Sequence, residues 1–133
     1  MANNKTALVV DDSLYIRTAL CRILEAQGFT VVATADNGVD AIARYMQLKP
    51  DLVTMDVIMP RLSGLQALLT LKGQDPSVCV VMVTSLASHA SVTDCLKAGA
   101  RNYLLKPFDP AKVAEVLGAL FPQQEQAALQ SVA

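Results

Sequence analysis

Polar side chains follow four apolar runs of this chain, and each is of a type that binds a cation or a phosphate. They are Asp11 and Asp12 after ALVV, Asp56 after LVTM, Thr84 and Ser85 after VCVVMV, and Lys106 after NYLL. Two carboxylates about 4 Å apart at an effective dielectric constant of about 20 repel each other by about 4 kcal/mol, which raises one pKa by about three units. A cluster of ionised carboxylates therefore needs a cation. Oxygen ligands without Cys or His select a hard metal, Mg²⁺ before Ca²⁺.

Each of these residues also has an ordinary structural interpretation when it is taken alone. The interpretations are a helix cap for Asp12 or Ser13, a turn for Asp56 or Thr84, and a solvated charge for Lys106. Asp36, in ADNG, is interpreted as a turn residue only. For the residues other than Asp36, a role in binding a cation or a phosphate is favoured if the strands that they follow are neighbours in one sheet.

Short apolar runs rich in β-branched residues alternate with segments of helical period. The predicted strands are residues 7–10, 30–35, 52–55, 78–83 and 102–105, and the predicted helices are 14–27, 38–48, 64–72, 89–98 and 110–121. Strands joined by helical crossovers form a parallel sheet covered on both faces, and right-handed crossovers favour a doubly wound α/β sandwich of three layers. Because ligands bind beyond the carboxyl ends of such strands, we expect the polar residues to converge on one rim.

The composition is that of one well-packed domain without a bulk attraction to nucleic acid or membrane. The chain has 133 residues, 53% of them hydrophobic, and a formal net charge of -1. We expect one domain over residues 1–121 and a polar tail, or the start of a linker, over 122–133. No apolar run is long enough to span a bilayer, and the first ten residues lack a signal-peptide core. We therefore expect a cytoplasmic protein with neither direct nucleic-acid binding nor membrane insertion.

Four motifs in this order resemble the receiver domain of bacterial two-component response regulators, and the resemblance covers about residues 5–121. They are the doublet Asp11-Asp12, MDVIMPRLSG at 55–64, VTS at 83–85 and LKPF at 105–108. A lone acidic doublet is weak evidence, but four motifs on the expected strand ends are specific. The resemblance implies a flavodoxin-like doubly wound (βα)5 fold whose strand order is 2-1-3-4-5.

The resemblance also implies a phosphoryl-transfer site. Asp56 is expected to be the phosphoacceptor, with the phosphohistidine of a sensor histidine kinase as donor. Mg²⁺ is expected to bind Asp12 directly, Asp11 through water, Asp56, and the backbone carbonyl of Ile58. Lys106 is expected to contact the phosphoryl oxygens, next to a Lys106-Pro107 bond that is cis in the family.

Thr84 and Tyr103 match the family's switch pair. The resemblance implies that the Thr84 hydroxyl contacts the phosphoryl group, and that Tyr103 then prefers a buried rotamer. The face made by helix 4, strand 5 and helix 5 is expected to change and to bind a downstream target protein. The ordinary interpretation of Tyr103 is half-burial on an edge strand.

Two apolar residues stand at positions that vary in the family and flank the phosphoryl group. They are Ile58, two residues past Asp56, and Leu86, two residues past Thr84. Because neither side chain can orient a water molecule, the sequence predicts slow spontaneous loss of phosphate.

Two other classes of protein share parts of this pattern. An aspartyl phosphatase of the haloacid dehalogenase type needs an acid–base Asp at the position of Ile58, and a flavodoxin-like FMN carrier needs a phosphate loop where Asp11-Asp12 stands. We therefore expect a signalling protein that catalyses only its own phosphoryl transfer and dephosphorylation. A stand-alone receiver with chemotaxis-type output is favoured, and a phosphorelay intermediate and the N-terminal domain of a longer regulator stay open.

Overall fold

The computed structural model describes residues 5–85 and 89–122, in which strands and helices alternate along the chain. The strands are β1 (Thr6–Val10), β2 (Thr30–Ala35), β3 (Leu52–Asp56), β4 (Val80–Thr84) and β5 (Asn102–Leu105). The helices are α1 (Leu14–Ala26), α2 (Gly38–Leu48), α3 (Gly64–Gln74), α4 (His89–Lys97) and α5 (Pro110–Leu120). None of these helices is long and apolar enough to cross a membrane.

The five strands form one parallel sheet in the order β2-β1-β3-β4-β5. This order and the alternation of elements confirm the flavodoxin-like (βα)5 fold. β1 pairs with both β2 and β3, so the direction in which successive strands are added reverses at β1. In a doubly wound sheet such a reversal opens a crevice at the carboxyl ends of the strands. The crevice lies between β1 and β3.

Alternate residues of β1 belong to two separate apolar clusters, one on each face of the sheet. Leu8 and Val10 pack in the cluster that includes residues of α2, α3 and α4, whereas Ala7 and Val9 pack in the cluster that includes residues of α1 and α5. All four side chains are buried. Burial of one Leu or Val side chain stabilises the fold by about 1.5–3 kcal/mol, so the two clusters hold the strand ends in fixed positions.

Four helices begin at a short polar side chain that caps the first turn. Each cap accepts a hydrogen bond from the backbone N–H three residues later, and the caps are Ser13 of α1, Asn37 of α2, Ser63 of α3 and Asp109 of α5. A cap of this kind contributes about 1 kcal/mol. Of the two candidates for α1, the cap is therefore Ser13 and not Asp12, which leaves the Asp12 carboxylate available for another role.

The boundary between α3 and β4 differs from the sequence prediction. α3 continues to Gln74, and β4 begins at Val80 instead of residue 78. The residues between them form a turn in which the Val78 N–H donates to the Asp75 carbonyl at 3.0 Å. Val78 is nevertheless buried. Its apolar character reflects core packing and not strand conformation.

The edge strand β2 contains a β-bulge that the sequence analysis did not predict. Ala7 lies opposite Val31 and Leu8 lies opposite Ala33, so Val32 is an extra residue in β2. Val32 is 38% exposed. A bulge twists an edge strand and hinders its pairing with a further strand.

Candidate functional site

Side chains from the ends of three strands meet in the crevice at the carboxyl edge of the sheet. Asp11 directly follows β1, Asp56 is the last residue of β3, and Lys106 directly follows β5. The Lys106 Nζ lies 2.8 Å from Asp11 Oδ2 and 3.4 Å from Asp56 Oδ2. Asp11 is fully buried and Asp56 is 7% exposed. The predicted convergence of these side chains is confirmed.

Asp11 is held by hydrogen bonds to its backbone and to its side chain. Its N–H donates to the Ala35 carbonyl at 3.1 Å, and its Oδ1 accepts from the Ser13 N–H at 3.0 Å. Its carbonyl accepts from Arg17 Nη1 at 2.7 Å. Arg17 was not among the site residues predicted from the sequence. Arg17 lies three and seven residues before the buried Leu20 and Leu24, which places it on the core-facing side of α1. A solvated cation is not expected on that side, so the spacing could have indicated from the sequence that Arg17 has a partner.

The electrostatic environment shifts the pKa of Asp56 and of Lys106. Burial raises the pKa of Asp56 above its ordinary value, and the neighbouring Asp11 raises it further, while Lys106 opposes both effects. Burial alone lowers the pKa of Lys106, but its contacts with Asp11 and Asp56 outweigh this effect and raise the pKa above its ordinary value. Lys106 is therefore charged at neutral pH, and the mutual repulsion that the sequence predicted acts on Asp56.

Three carboxylates form a group whose donor atoms fit a hard divalent cation. Ligand oxygens of Asp11, Asp12 and Asp56 all lie within 4.8 Å of one another. Asp12 is exposed, in contrast to the other two. Three carboxylates face one ammonium group, so a further positive charge is favourable, and oxygen donors suit Mg²⁺. The residues present fit the metal that the resemblance implied.

The loop from Val57 to Ser63 follows Asp56 and has a tightly fixed backbone. The Gly64 N–H donates to the Val57 carbonyl at 2.7 Å, and a Cβ on Gly64 would overlap the carbonyl oxygen of Asp56. Arg61 has a positive φ of 69°. Ile58 lies in this loop with a side chain that is 62% exposed, so its predicted metal contact depends on the backbone carbonyl alone.

The predicted switch residues lie on β4 and β5 next to the crevice. Thr84 is buried at the end of β4, opposite Leu105, and the backbone N–H of Lys106 donates to the Thr84 carbonyl at 2.8 Å. Tyr103 is half-buried on the edge strand β5, as its ordinary interpretation predicts. The Lys106-Pro107 bond is cis. Leu86 lies outside the described residues.

The sequence profile described as "Response regulator receiver domain" matches residues 7–118. The chain belongs to this family. It is 40% identical to the chemotaxis protein CheY of Listeria monocytogenes over 110 residues, which are 83% of this chain and 92% of that protein. It is 37% identical to CheY of Thermotoga maritima over 113 residues, 85% of this chain and 94% of that one. The family match favours the receiver over the phosphatase and the FMN carrier.

A solved structure supports the same assignment. CheY in the CheX-CheY-BeF3-Mg²⁺ complex of Borrelia burgdorferi superimposes with a TM-score of 0.86 and 33% sequence identity, over 88% of this chain and 89% of that one. The receiver family is thus shown by sequence and by fold, and the four motifs that carried the resemblance lie at the crevice or immediately beside it.

Proposed function

We propose that this receiver is a phosphorylation-activated signalling switch of the CheY type, in which Asp56 accepts a phosphoryl group from a sensor histidine kinase. One observation carries the proposal: a buried carboxylate at the end of β3 lies 3.4 Å from the ammonium group of Lys106 and shares its crevice with Asp11 and Asp12. A nucleophile, a cation for the phosphoryl oxygens and a metal-binding pair are thus within reach of one another.

The proposed reaction begins at the carboxylate of Asp56. One of its oxygens forms a bond to phosphorus as the P–N bond of the phosphohistidine breaks, and the imidazole keeps that electron pair. Lys106 is already held at the crevice by Asp11, so its ammonium group needs little reorganisation to contact the phosphoryl oxygens. Pre-positioned charge of this kind supplies most of the catalysis in phosphoryl transfer.

Asp11, Asp12, Asp56 and the carbonyl of Ile58 are the residues that would hold Mg²⁺. When bound, the metal neutralises negative charge that would otherwise accumulate between the carboxylates and the incoming phosphoryl group. The buried Asp11 opposes ionisation of Asp56, so the residues of the crevice favour a cation before the phosphoryl group arrives.

The output is proposed to pass through the face of α4, β5 and α5. A cleft of about 400 Å³ lies beside β5 and α5, and its lining includes Tyr103, Leu105, Pro107 and Lys112. Thr84 and Tyr103 lie on adjacent strands, so contact of Thr84 with a phosphoryl group can alter the space available to the Tyr103 ring. The cleft would then change shape, and a downstream target protein would bind one state better than the other.

Chemotaxis-type output is favoured because the relatives with high identity over most of their length include several CheY proteins. A phosphorelay intermediate or a receiver within a longer regulator would use the same chemistry. The receiver itself is proposed to catalyse only its own phosphoryl transfer and dephosphorylation.

The test is the intact mass of the protein after incubation with acetyl phosphate, with and without Mg²⁺. The wild-type protein is expected to gain one phosphoryl group when Mg²⁺ is present, and Asp56→Asn is expected to gain none. Asp36→Asn is the matched control, because Asp36 is an exposed carboxylate near the end of β2. A gain that persists in Asp56→Asn, or no gain in a folded protein that binds Mg²⁺, would rule out the proposed chemistry with this donor.

A further inference from the structure

Arg17 lies outside the set of residues that the receiver function explains, yet it contacts the acidic doublet directly. Its Nη1 donates to the backbone carbonyl of Asp11 at 2.7 Å. The bond joins the end of the first turn of α1 to the loop before that helix. Because Leu20 and Leu24 anchor α1 in the core, the bond ties the Asp11 carbonyl to the rigid part of the domain.

The carbonyl that Arg17 holds belongs to the peptide between Asp11 and Asp12. A peptide unit is planar, so fixing its oxygen fixes the plane and the direction in which the Asp12 Cα leaves. The backbone of Asp11 is also fixed on the other side of its Cα, because the Asp11 N–H donates to the Ala35 carbonyl. Asp12 itself is exposed. The backbone that Arg17 holds therefore sets the point and the direction from which the Asp12 side chain leaves the chain.

We propose that Arg17 is a positioning residue that orients the Asp11-Asp12 doublet for Mg²⁺ through its hydrogen bond to the Asp11 carbonyl. The inference rests on the proposed function, since it assumes that the doublet binds Mg²⁺. Groups that orient metal ligands without touching the metal commonly change metal affinity by roughly 10-fold to 100-fold when they are removed.

The charge of Arg17 has the opposite effect on a metal from its hydrogen bond. A guanidinium group near the doublet repels Mg²⁺, so loss of its charge alone would tighten binding by roughly twofold in a solvated setting. Loss of the hydrogen bond frees the peptide plane and weakens binding. The sign of the change therefore distinguishes positioning from simple electrostatics.

The test is the dissociation constant for Mg²⁺ of the unphosphorylated protein, measured from amide NMR shifts during a MgCl2 titration. Arg17→Met removes the charge and the hydrogen bond, and Arg17→Lys keeps the charge with a flexible ammonium group in place of the planar guanidinium fork. Arg22→Met is the matched control, because Arg22 is an exposed arginine on the same helix. Spectra without Mg²⁺ report separately whether the amides of Asp12 and Ser13 move.

We expect Arg17→Met to weaken Mg²⁺ binding by roughly 10-fold, Arg17→Lys to fall between it and the wild type, and Arg22→Met to leave the affinity within about twofold. The Asp12 and Ser13 amides should shift in Arg17→Met before any metal is added.

If Arg17→Met does not fold, Arg17→Lys decides the result, and wild-type affinity in that variant overturns the proposal. Tighter or unchanged binding in folded Arg17→Met overturns it while leaving the receiver function intact. A wild type that binds no Mg²⁺ overturns both.

Discussion

Ile58 places an exposed apolar side chain beside the residue proposed to carry the phosphoryl group. It lies two residues after Asp56, and 62% of its surface is exposed. Hydrolysis of an aspartyl phosphate requires a water molecule in line with the P–O bond, and an aliphatic side chain offers no hydrogen bond to orient one.

The prediction at this position is that the phosphorylated protein loses its phosphate slowly and that Ile58→Asn speeds the loss. An amide at position 58 can orient the attacking water, and a roughly 10-fold faster decay corresponds to about 1.4 kcal/mol of barrier. The decay is measured as the intact mass over time after acetyl phosphate is removed. Leu69→Asn, at an exposed position on α3, controls for a general effect of the substitution. Fast decay in the wild type that slows in Ile58→Asn would contradict the prediction.

The ends of α2 and α3 that lie away from the crevice are joined by a polar cluster. The Tyr45 hydroxyl donates to Asp75 Oδ2 at 2.7 Å, and the Lys49 ammonium lies 3.9 Å from the same oxygen and 5.5 Å from the centre of the Tyr45 ring. Hydrogen bonds from Ser77, and then the one from Tyr45, lower the pKa of Asp75 to about 2. Burial and the bond to Asp75 raise the pKa of Tyr45 above its ordinary value.

We predict that Tyr45→Phe raises the pKa of Asp75 from about 2 toward its ordinary value of 3.8. The folded-state pKa of Asp75 is depressed, so its ionised form stabilises the fold above about pH 3.8, and this contribution is lost as the pH falls through about 2. Tyr45→Phe should therefore reduce the free energy of unfolding near neutral pH and have a smaller effect in acid. Carboxyl NMR titration gives the pKa, and urea unfolding gives the stability.

Ser77→Ala is the companion variant, because it removes the hydrogen bond from the Ser77 hydroxyl, which is the largest cause of the depressed pKa of Asp75, and keeps the bond from the Ser77 backbone N–H. It should raise that pKa at least as much as Tyr45→Phe does. An Asp75 pKa that stays near 2 in Tyr45→Phe would mean that the two helices are not joined by this hydrogen bond in solution.

Elements whose sequence signal is local were predicted well, and those set by tertiary contacts were not. The period of α1 and its Ser13 cap are readable from the chain. The bulge at Val32 depends on how β2 is paired with β1, which no local pattern specifies. The left-handed conformation of Arg61 depends on a loop closed by Gly64. The spacing of Arg17 to the buried residues of α1 could have indicated that it has a structural role. Its partner could not have been predicted, because a backbone carbonyl is present at every residue and gives no sequence signal.

The candidate site was more predictable than these details because a parallel sheet brings its strand ends to one edge. Asp11, Asp56 and Lys106 needed only the correct strand order to meet, and that order came from the resemblance. The roles of Thr84 and Tyr103 stay predictions, because they concern a phosphorylated state. The metal contact of the Ile58 carbonyl also stays a prediction, because it concerns a metal-bound state.

At the scale of the whole molecule, the ionised carboxylate of Asp56 opposes the stability of the fold when no metal ion is bound. The apolar clusters on the two faces hold Asp11 and Asp56 in place regardless of the repulsion between them. The pKa of Asp56 is raised in the folded state, first by burial and then by Asp11. Asp56 therefore binds a proton more readily in the folded than in the unfolded protein, and its contribution to the free energy of unfolding falls as the pH rises from 3.8 through its raised pKa.

We predict that this loss of stability is absent in Asp56→Asn and is reversed by Mg²⁺ in the wild type. Without metal, the difference in free energy of unfolding between wild type and Asp56→Asn should shift in favour of the variant as the pH rises from about 4. Mg²⁺ at 100 times its dissociation constant should stabilise the wild type by about 2.7 kcal/mol, and the variant by less because it lacks one carboxylate. Urea unfolding at several pH values, with MgCl2 or with EDTA, measures both effects, and Asp94→Asn, on α4, controls for the loss of an exposed carboxylate. A difference independent of both pH and Mg²⁺ would mean that Lys106 alone compensates Asp56, and that the crevice has no need of a metal.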